Sequence, residues 1–313
     1  MALSGTYTYS VDRGDIIQEA FEILGSVSPE VAPSTNEANS ATRTLQLLIK
    51  AEQAKGLFLH TYKDAILFLE TGKVQYKLGP ASTDDHCAEA DDVVSTAVAT
   101  DASTSATVIA VDSATGLATS DKIGIELDDG ESHWSTISGI SSTNITIAAG
   151  IPSAAADGNK VYAYTSRIQR PLLIRDVNLR NSDDVDRPIS LVSLSKYRNL
   201  STKQADGDSA VEVAYDPQIT AGLLNVWPRT DNVVNRIVFT YKRPIQDITS
   251  DGHNPELPQD WYEWLCWQLA YKLSFKRGLQ LQLRMLIRDE ADRLKDGLHD
   301  FEDRSVFIQP ERN

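Results

Sequence analysis

The chain has 313 residues, 41% of them hydrophobic and 24% charged, as in a globular protein of one large domain or two ordinary ones. No apolar run is long enough to cross a bilayer, which excludes a membrane-spanning helix. The formal charge of −14 excludes general nucleic-acid binding, because phosphates would be repelled, although it suits a protein that must pass DNA without holding it.

Residues 12–25 are predicted as a first helix. Ile16, Ile17, Ala20, Phe21, Ile23 and Leu24 form its apolar stripe, with Asp15, Gln18, Glu19 and Glu22 opposite. Pro29 and Pro33 break the loop that follows. Ser34 and Glu37 have capping-box spacing, so a second helix is expected from there to Gly56, burying Ala38, Ala41, Leu45, Leu48 and Ile49. The two helices should pack as a hairpin. The period then changes: an apolar run at 65–69, turn residues at 70–73 and alternation at 74–78 read as a β-hairpin.

From about Asp84 to Ser166 the composition shifts to Ser, Thr, Ala, Asp and Gly. Six short apolar pieces recur at 93–99, 107–111, 122–127, 133–137, 145–148 and 160–164, and Asp128, Asp129 and Gly130 mark a hairpin turn. The spacing predicts a small all-β sandwich- or barrel-like module, residues 84–166, inserted into a core of residues 1–83 and 167–313. After it, strands are expected at 172–177, 211–215, 223–227 and 236–241, joining the early hairpin in one sheet, with a short helix at 193–199.

Residues 257–278 are the strongest element. Pro258 suits a first helical position, Lys272, Lys276 and Arg277 suit the negative end, and Gly278 suits a left-handed cap. Trp261, Trp264, Leu265, Leu269 and Leu273 share one broad face, while Trp267, Ala270 and Tyr271 fall largely outside it. A helix apolar nearly all round needs cover on more than one side. It is either the centre of a bundle, or a helix covered by its own domain on one side and by a neighbouring subunit on the other. A last helix is predicted at 281–301, with a stripe of Leu283, Leu286, Ile287, Ala291, Leu294, Leu298 and Phe301 and an outer pair of Asp289 and Arg293. Val306, Phe307 and Ile308 then form an apolar patch in a polar tail, to be covered by the chain's own core or by a partner subunit.

The fold class expected is therefore α+β. It comprises a helical bundle of two N-terminal and two C-terminal helices, an antiparallel β domain, and the inserted all-β module.

Catalytic signals are weak. The sequence has no Gly-rich phosphate loop, HExxH, CxxC or GxSxG, and no metal site or cofactor is expected. His86 and Cys87 beside Asp84, Asp85, Glu89, Asp91 and Asp92 read as a solvated acidic loop rather than a metal cluster. Asp128, Asp129 and Glu131 read as turn chemistry rather than paired catalytic carboxylates. With Cys87 and Cys266 in unlike contexts, and the first residues unlike a signal peptide, synthesis in a reducing compartment is expected.

One combination stands out. The N-terminal helix pair is followed by Tyr215-Asp216-Pro217-Gln218, Leu224-Asn225-Val226-Trp227-Pro228, and a strand from Ile237 to Arg243-Pro244-Ile245. Leu257-Pro258 with Trp261 and the two C-terminal helices complete it. Outside residues 84–166 this resembles the head-to-tail adaptor proteins of short-tailed bacteriophages. That group includes the tail accessory, or packaged-DNA stabilisation, factors of P22-like phages and the tubular tail proteins of T7-like phages.

The resemblance implies a virion protein, made in the host cytoplasm, without enzymatic activity or membrane anchor. It would form a ring, commonly of twelve identical subunits, below the portal protein. The ring would extend the DNA channel without sequence-specific binding, help retain the genome, and support the nozzle and the fibre or spike proteins. Trp261, Trp264, Trp267 and Tyr271 become candidates for subunit or portal contacts. Residues 302–313 become a docking arm anchored by Val306, Phe307 and Ile308. The β module, through Trp134, Tyr162 and Tyr164, would face fibres or spikes. Two competing expectations are a carbohydrate-binding, adhesin-type module built on those same aromatics and a hydrolase using Asp128, Asp129 or Glu131.

Overall fold

The computed structural model describes residues 9–26, 28, 31–55, 59–230 and 232–302. It is a mixed α+β structure. The α-helices are α1 (Arg13–Ile23), α2 (Thr35–Ala54), α3 (Leu194–Arg198), α4 (Trp261–Arg277) and α5 (Leu281–Glu302). The chain divides into two compact units, one of residues 1–59 with 245–313 and one of residues 60–244. The expected limits at 84 and 166 fall inside the second unit. Val306, Phe307 and Ile308 of the expected arm lie outside the described residues.

In the first unit α4 is central and packs on α1, α2 and α5. Asp12 caps α1 by accepting the Asp15 N–H at 2.9 Å, and the Glu37 carboxylate accepts the Ser34 N–H at 2.9 Å at the start of α2. The α1 stripe of Ile16, Ile17, Ala20, Phe21 and Leu24 is buried, and so is the α2 stripe of Ala41, Leu45, Leu48 and Ile49. Both stripes lie in one core with Trp261, Trp264, Leu265, Leu269 and Leu273. The two helices are thus joined mainly through α4 rather than as the expected hairpin.

Helix α4 begins at Trp261, and Pro258 sits before it in a turn whose carbonyl accepts the Trp261 N–H at 3.0 Å. Pro258 is therefore not the first helical residue. Gly278 ends the helix with φ +65°, a conformation glycine adopts without a Cβ clash. Ala270, expected off the main face, is fully buried in the same core.

In the second unit the strands are β1 (Tyr62–Phe68), β2 (Gln75–Leu78), β3 (Cys87–Glu89), β4 (Val94–Ala97), β5 (Val108–Ala110), β6 (Lys122–Glu126), β7 (Ser132–Ser141), β8 (Asn144–Ile147) and β9 (Lys160–Tyr164). They continue with β10 (Leu173–Arg180), β11 (Asp186–Pro188), β12 (Ser190–Leu191), β13 (Asp206–Gly207), β14 (Glu212–Asp216), β15 (Gly222–Trp227), β16 (Arg229–Thr230) and β17 (Arg236–Lys242). One sheet has the order β11-β10-β17-β1-β3 and another the order β12-β14-β15-β2.

The expected hairpin of β1 and β2 does not form. Both edges of β1 are taken, by β17 and β3, and β2 pairs with β15 in the other sheet. The turn between them carries the chain across, with the Tyr76 hydroxyl accepting the Glu70 N–H at 2.9 Å. The two sheets share one core, in which Ala65, Leu67, Ile237, Phe239 and Tyr241 meet Tyr76, Leu78, Val213, Leu224 and Val226. The later strands thus build two sheets rather than the one expected. The alternate residues of the larger sheet, Ile66, Phe68, Ala88 and Val238, are buried on its other face. A strand covered on both faces reads as a continuous apolar run, which is why residues 65–69 show no alternation.

The six predicted pieces of the module are all strands, in the order β4-β9-β6-β7-β8-β5. Its outermost strands meet beyond their ends, where Val98 bridges Val111 and the Ala99 N–H donates to the Ala110 carbonyl at 2.9 Å. The sheet therefore curls toward a barrel around Ile109, Ile123, Ile125, Ile137, Ile145 and Val161. Its entry and exit are clasped, with Asp92 accepting the N–H groups of Thr165 and Ser166 at 3.2 and 3.0 Å.

The stretch expected as a solvated acidic loop is instead tied into the fold. Cys87 is buried in β3, Asp84 is buried and accepts the Ala81 N–H at 3.0 Å, and Asp85 pairs with Lys73.

Candidate interaction surfaces

Helix α4 holds four of the predicted site residues, and the structure separates them. Trp261 and Trp264 are 2% and 1% exposed inside their own unit, packed edge to face with centroids 5.3 Å apart. Burial within this chain withdraws both as contact residues. Trp267 and Tyr271 remain half-buried at the margin of that core.

Trp267 lines a groove of about 560 Å³ between α1 and α4. Val11, Ile23, Tyr262 and Cys266 supply its apolar lining, and Asp15, Glu19 and Glu263 its acidic rim. The Cys266 thiol is pushed up to about 12, first by burial and then by the charges of Glu19, Glu263 and Asp15. The groove is a field of negative sign over an apolar floor.

Tyr271 leads to the other open surface. Its ring meets Phe275 edge to face at 5.3 Å, and the Arg284 guanidinium lies over Phe275 at 5.2 Å from the ring centroid. Phe275, Leu281, Leu283, Met285 and Leu286 are all 46–66% exposed around the α4–α5 connection. So many large apolar side chains open to water on one short stretch mark a candidate binding surface.

The expected α5 stripe placed Leu283 and Leu286 inside. Only Ile287 and Ala291 are buried there, with Leu294 and Leu298 packed partly against the core. Helix α5 rests chiefly on α4, so residues flanking that contact near the connection stay open. On its outer side Arg293 pairs with Glu290, not with the expected Asp289, which pairs with Arg288 at 2.9 Å.

The three module aromatics also take a different role. Tyr162 and Tyr164 are 8% and 1% exposed. With Trp134 they pack on Phe68, whose ring lies 4.9 Å from that of Trp134 and 5.3 Å from that of Tyr162. His86 stacks on Trp134 at 3.8 Å and lies 2.6 Å from the Tyr164 hydroxyl. These residues join the module to the larger sheet, and burial leaves Tyr162 and Tyr164 no exposed platform for fibres or for sugars, while Trp134 stays half-buried. The joint is tight at Gly124, where a Cβ would fall 2.6 Å from the Trp134 ring. Gly124→Ala is expected to cost about 1–3 kcal/mol by displacing that ring, read as a lower melting temperature with altered tryptophan fluorescence. An unchanged melting temperature would mean that the ring is not held.

Asp128, Asp129 and Glu131 stand at the β6–β7 turn. Asp128 accepts the Ala156 N–H at 2.9 Å, and Asp129 accepts the Glu131 N–H at 3.1 Å. The Asp128 and Asp129 carboxylates are thus engaged in holding loops. Among the described residues no group of three or more His, Cys, Asp or Glu is placed to hold a metal, and no helix is long and apolar enough to cross a membrane.

One feature escaped the sequence reading. Glu52 is 3% exposed and pairs with Lys295 at 2.5 Å and Lys55 at 2.7 Å, tying α2 to α5. Its signal was available, since Glu52 continues the apolar face of Leu45, Leu48 and Ile49.

The helical unit thus combines a filled core with open apolar side chains at its edges. No protein-family model matches this sequence, and no curated protein matches it. Among solved structures it is matched to VP17, a capsid protein of bacteriophage P23-77, at 10% identity and a TM-score of 0.12. That match covers 62% of this chain and 77% of the other, and a likeness so slight carries no argument about fold or function.

Proposed function

We propose that this chain is a structural virion protein, a head-to-tail adaptor that forms a ring below the portal of a short-tailed bacteriophage. In this reading identical subunits, twelve in the related rings, extend the DNA channel and help retain the genome. They also support the nozzle and the fibre or spike proteins, and DNA passes without sequence-specific contact. The helical unit would serve as the bundle that meets portal and neighbours, and the β4–β9 module as an insert into the β domain. Its work is assembly, not catalysis.

The observation that carries the reading is the open apolar corner of Phe275, Leu281, Leu283, Met285 and Leu286, on a helical unit whose core is otherwise filled. The net charge of −14 supports the channel role, because few contacts would form to passing phosphates. Electron microscopy of the purified chain mixed with its cognate portal protein tests the proposal. Rings stacked coaxially on the portal are expected. A chain that stays monomeric and never joins portal or virion overturns it.

A further inference from the structure

We propose that the acid-rimmed groove between α1 and α4 receives the basic apolar corner between α4 and α5 of a second copy of this chain. The inference rests on the ring reading above and names the contact between neighbouring subunits.

The two surfaces match in sign. From Trp264 to Arg288 the sequence has five cations, Lys272, Lys276, Arg277, Arg284 and Arg288, and no carboxylate. Arg277 is matched by Glu37 and Arg288 by Asp289. Lys276 bonds the hydroxyls of Ser40 and Thr44, and Arg284 the Leu279 carbonyl, so their charges meet neutral oxygens. The groove is the opposite case, with Asp15, Glu19 and Glu263 on its rim and no cation among its lining residues. Its floor of Val11, Ile23, Cys266 and Trp267 is apolar, as is the corner that would enter it.

The match matters because two copies that each carry −14 repel one another. Association requires opposite local signs to meet, and these two faces supply them. They are built from different residues of one unit, so the contact is heterologous and leaves a free groove at one end of a growing assembly and a free corner at the other. Such a contact closes into a ring when the rotation between copies divides a full turn.

The test uses the full chain and two charge-reversed variants, Glu19→Lys with Glu263→Lys in the groove and Lys272→Glu with Arg284→Glu at the corner. Sedimentation velocity over a concentration series reads assembly, and circular dichroism checks that the helices remain. The wild type is expected to assemble with rising concentration, and each variant alone to associate at least about tenfold more weakly. An equimolar mixture of the two should assemble again, because each then offers the other both complementary faces. A misfolded variant could not give that rescue. The inference is overturned by a wild type that stays monomeric, by variants that assemble like wild type, or by folded variants that fail to rescue each other. It is also overturned if the groove variant lowers the melting temperature without changing the assembly state, since the groove is then filled by its own chain. Rings on the portal that ignore both variants sink this contact alone, whereas a wild type that never joins the portal sinks the adaptor reading.

Discussion

Trp264→Ala is expected to cost about 3–5 kcal/mol of stability, the range for deleting a large buried aromatic side chain. The indole is 1% exposed, packs on Trp261, and has the Lys295 ammonium 5.5 Å above its ring. Alanine would leave a cavity where α1, α2 and α5 converge on α4. Trp264→Phe should cost much less. The indole N–H is buried with no partner among the described residues, so removing it relieves a desolvation penalty of about 1–3 kcal/mol that offsets part of the lost packing. Chemical denaturation followed by far-ultraviolet circular dichroism reads this unit selectively, because the only α-helix described in the other unit is the short α3. An alanine variant within about 1 kcal/mol of wild type would refute the central placement of α4.

The second large effect is on acid stability. His86 is pushed down to about 3, first by burial between Trp134 and Tyr164, then by the charges of Arg167, Lys73 and Lys122. Its ordinary value is about 6.5. Above that both states are neutral and the joint is at full strength. Below it the unfolded chain takes up a proton that the folded chain refuses until about 3, so stability falls with pH across that window. The slope is about 1.4 kcal/mol per pH unit, or about 2 kcal/mol between pH 6.5 and 5, a range in which most carboxylates remain ionised. His86→Phe keeps the stack on Trp134 and removes the titration. The difference between wild type and variant should therefore shrink or reverse as the pH drops. Parallel unfolding curves at pH 6.5 and 5 would show that His86 is not sealed from the proton.

Local chemistry was the legible part of this fold. Asp12, Ser34 with Glu37, and Gly278 mark helix ends through bonds and torsions that involve only near neighbours. The six module strands each carry their own alternation and turns. What could not be read was pairing. Residues 65–69 and 74–78, separated by Glu70 to Lys73, have the look of a hairpin, yet partners more than 100 residues away, β17 and β15, claim them. Nothing within the turn encodes that competition. The aromatics failed for a related reason. Trp134, Tyr162 and Tyr164 read as surface residues because their main cover, Phe68, comes from outside the module and His86 from its first residues. On α5 the stripe was read too wide: Ile287 and Ala291 lie on the buried side, whereas Leu283 and Leu286 flank it, and periodicity alone does not report how broad the covering surface is.

The clasp at Asp92 and the aromatic joint pull in opposite directions as regards the history of this protein. With entry and exit held side by side, a genetic cassette spanning the curled sheet could be cut out or exchanged without breaking the threading of its host. Yet excision would bare Ile66, Phe68, Ala88 and Val238 to water. A recipient lacking that oily wall would gain a poorly seated graft, and a donor losing the cassette would be left with an adhesive scar. Exchange among genomes therefore has to move, or repaint, both sides of the seam at once.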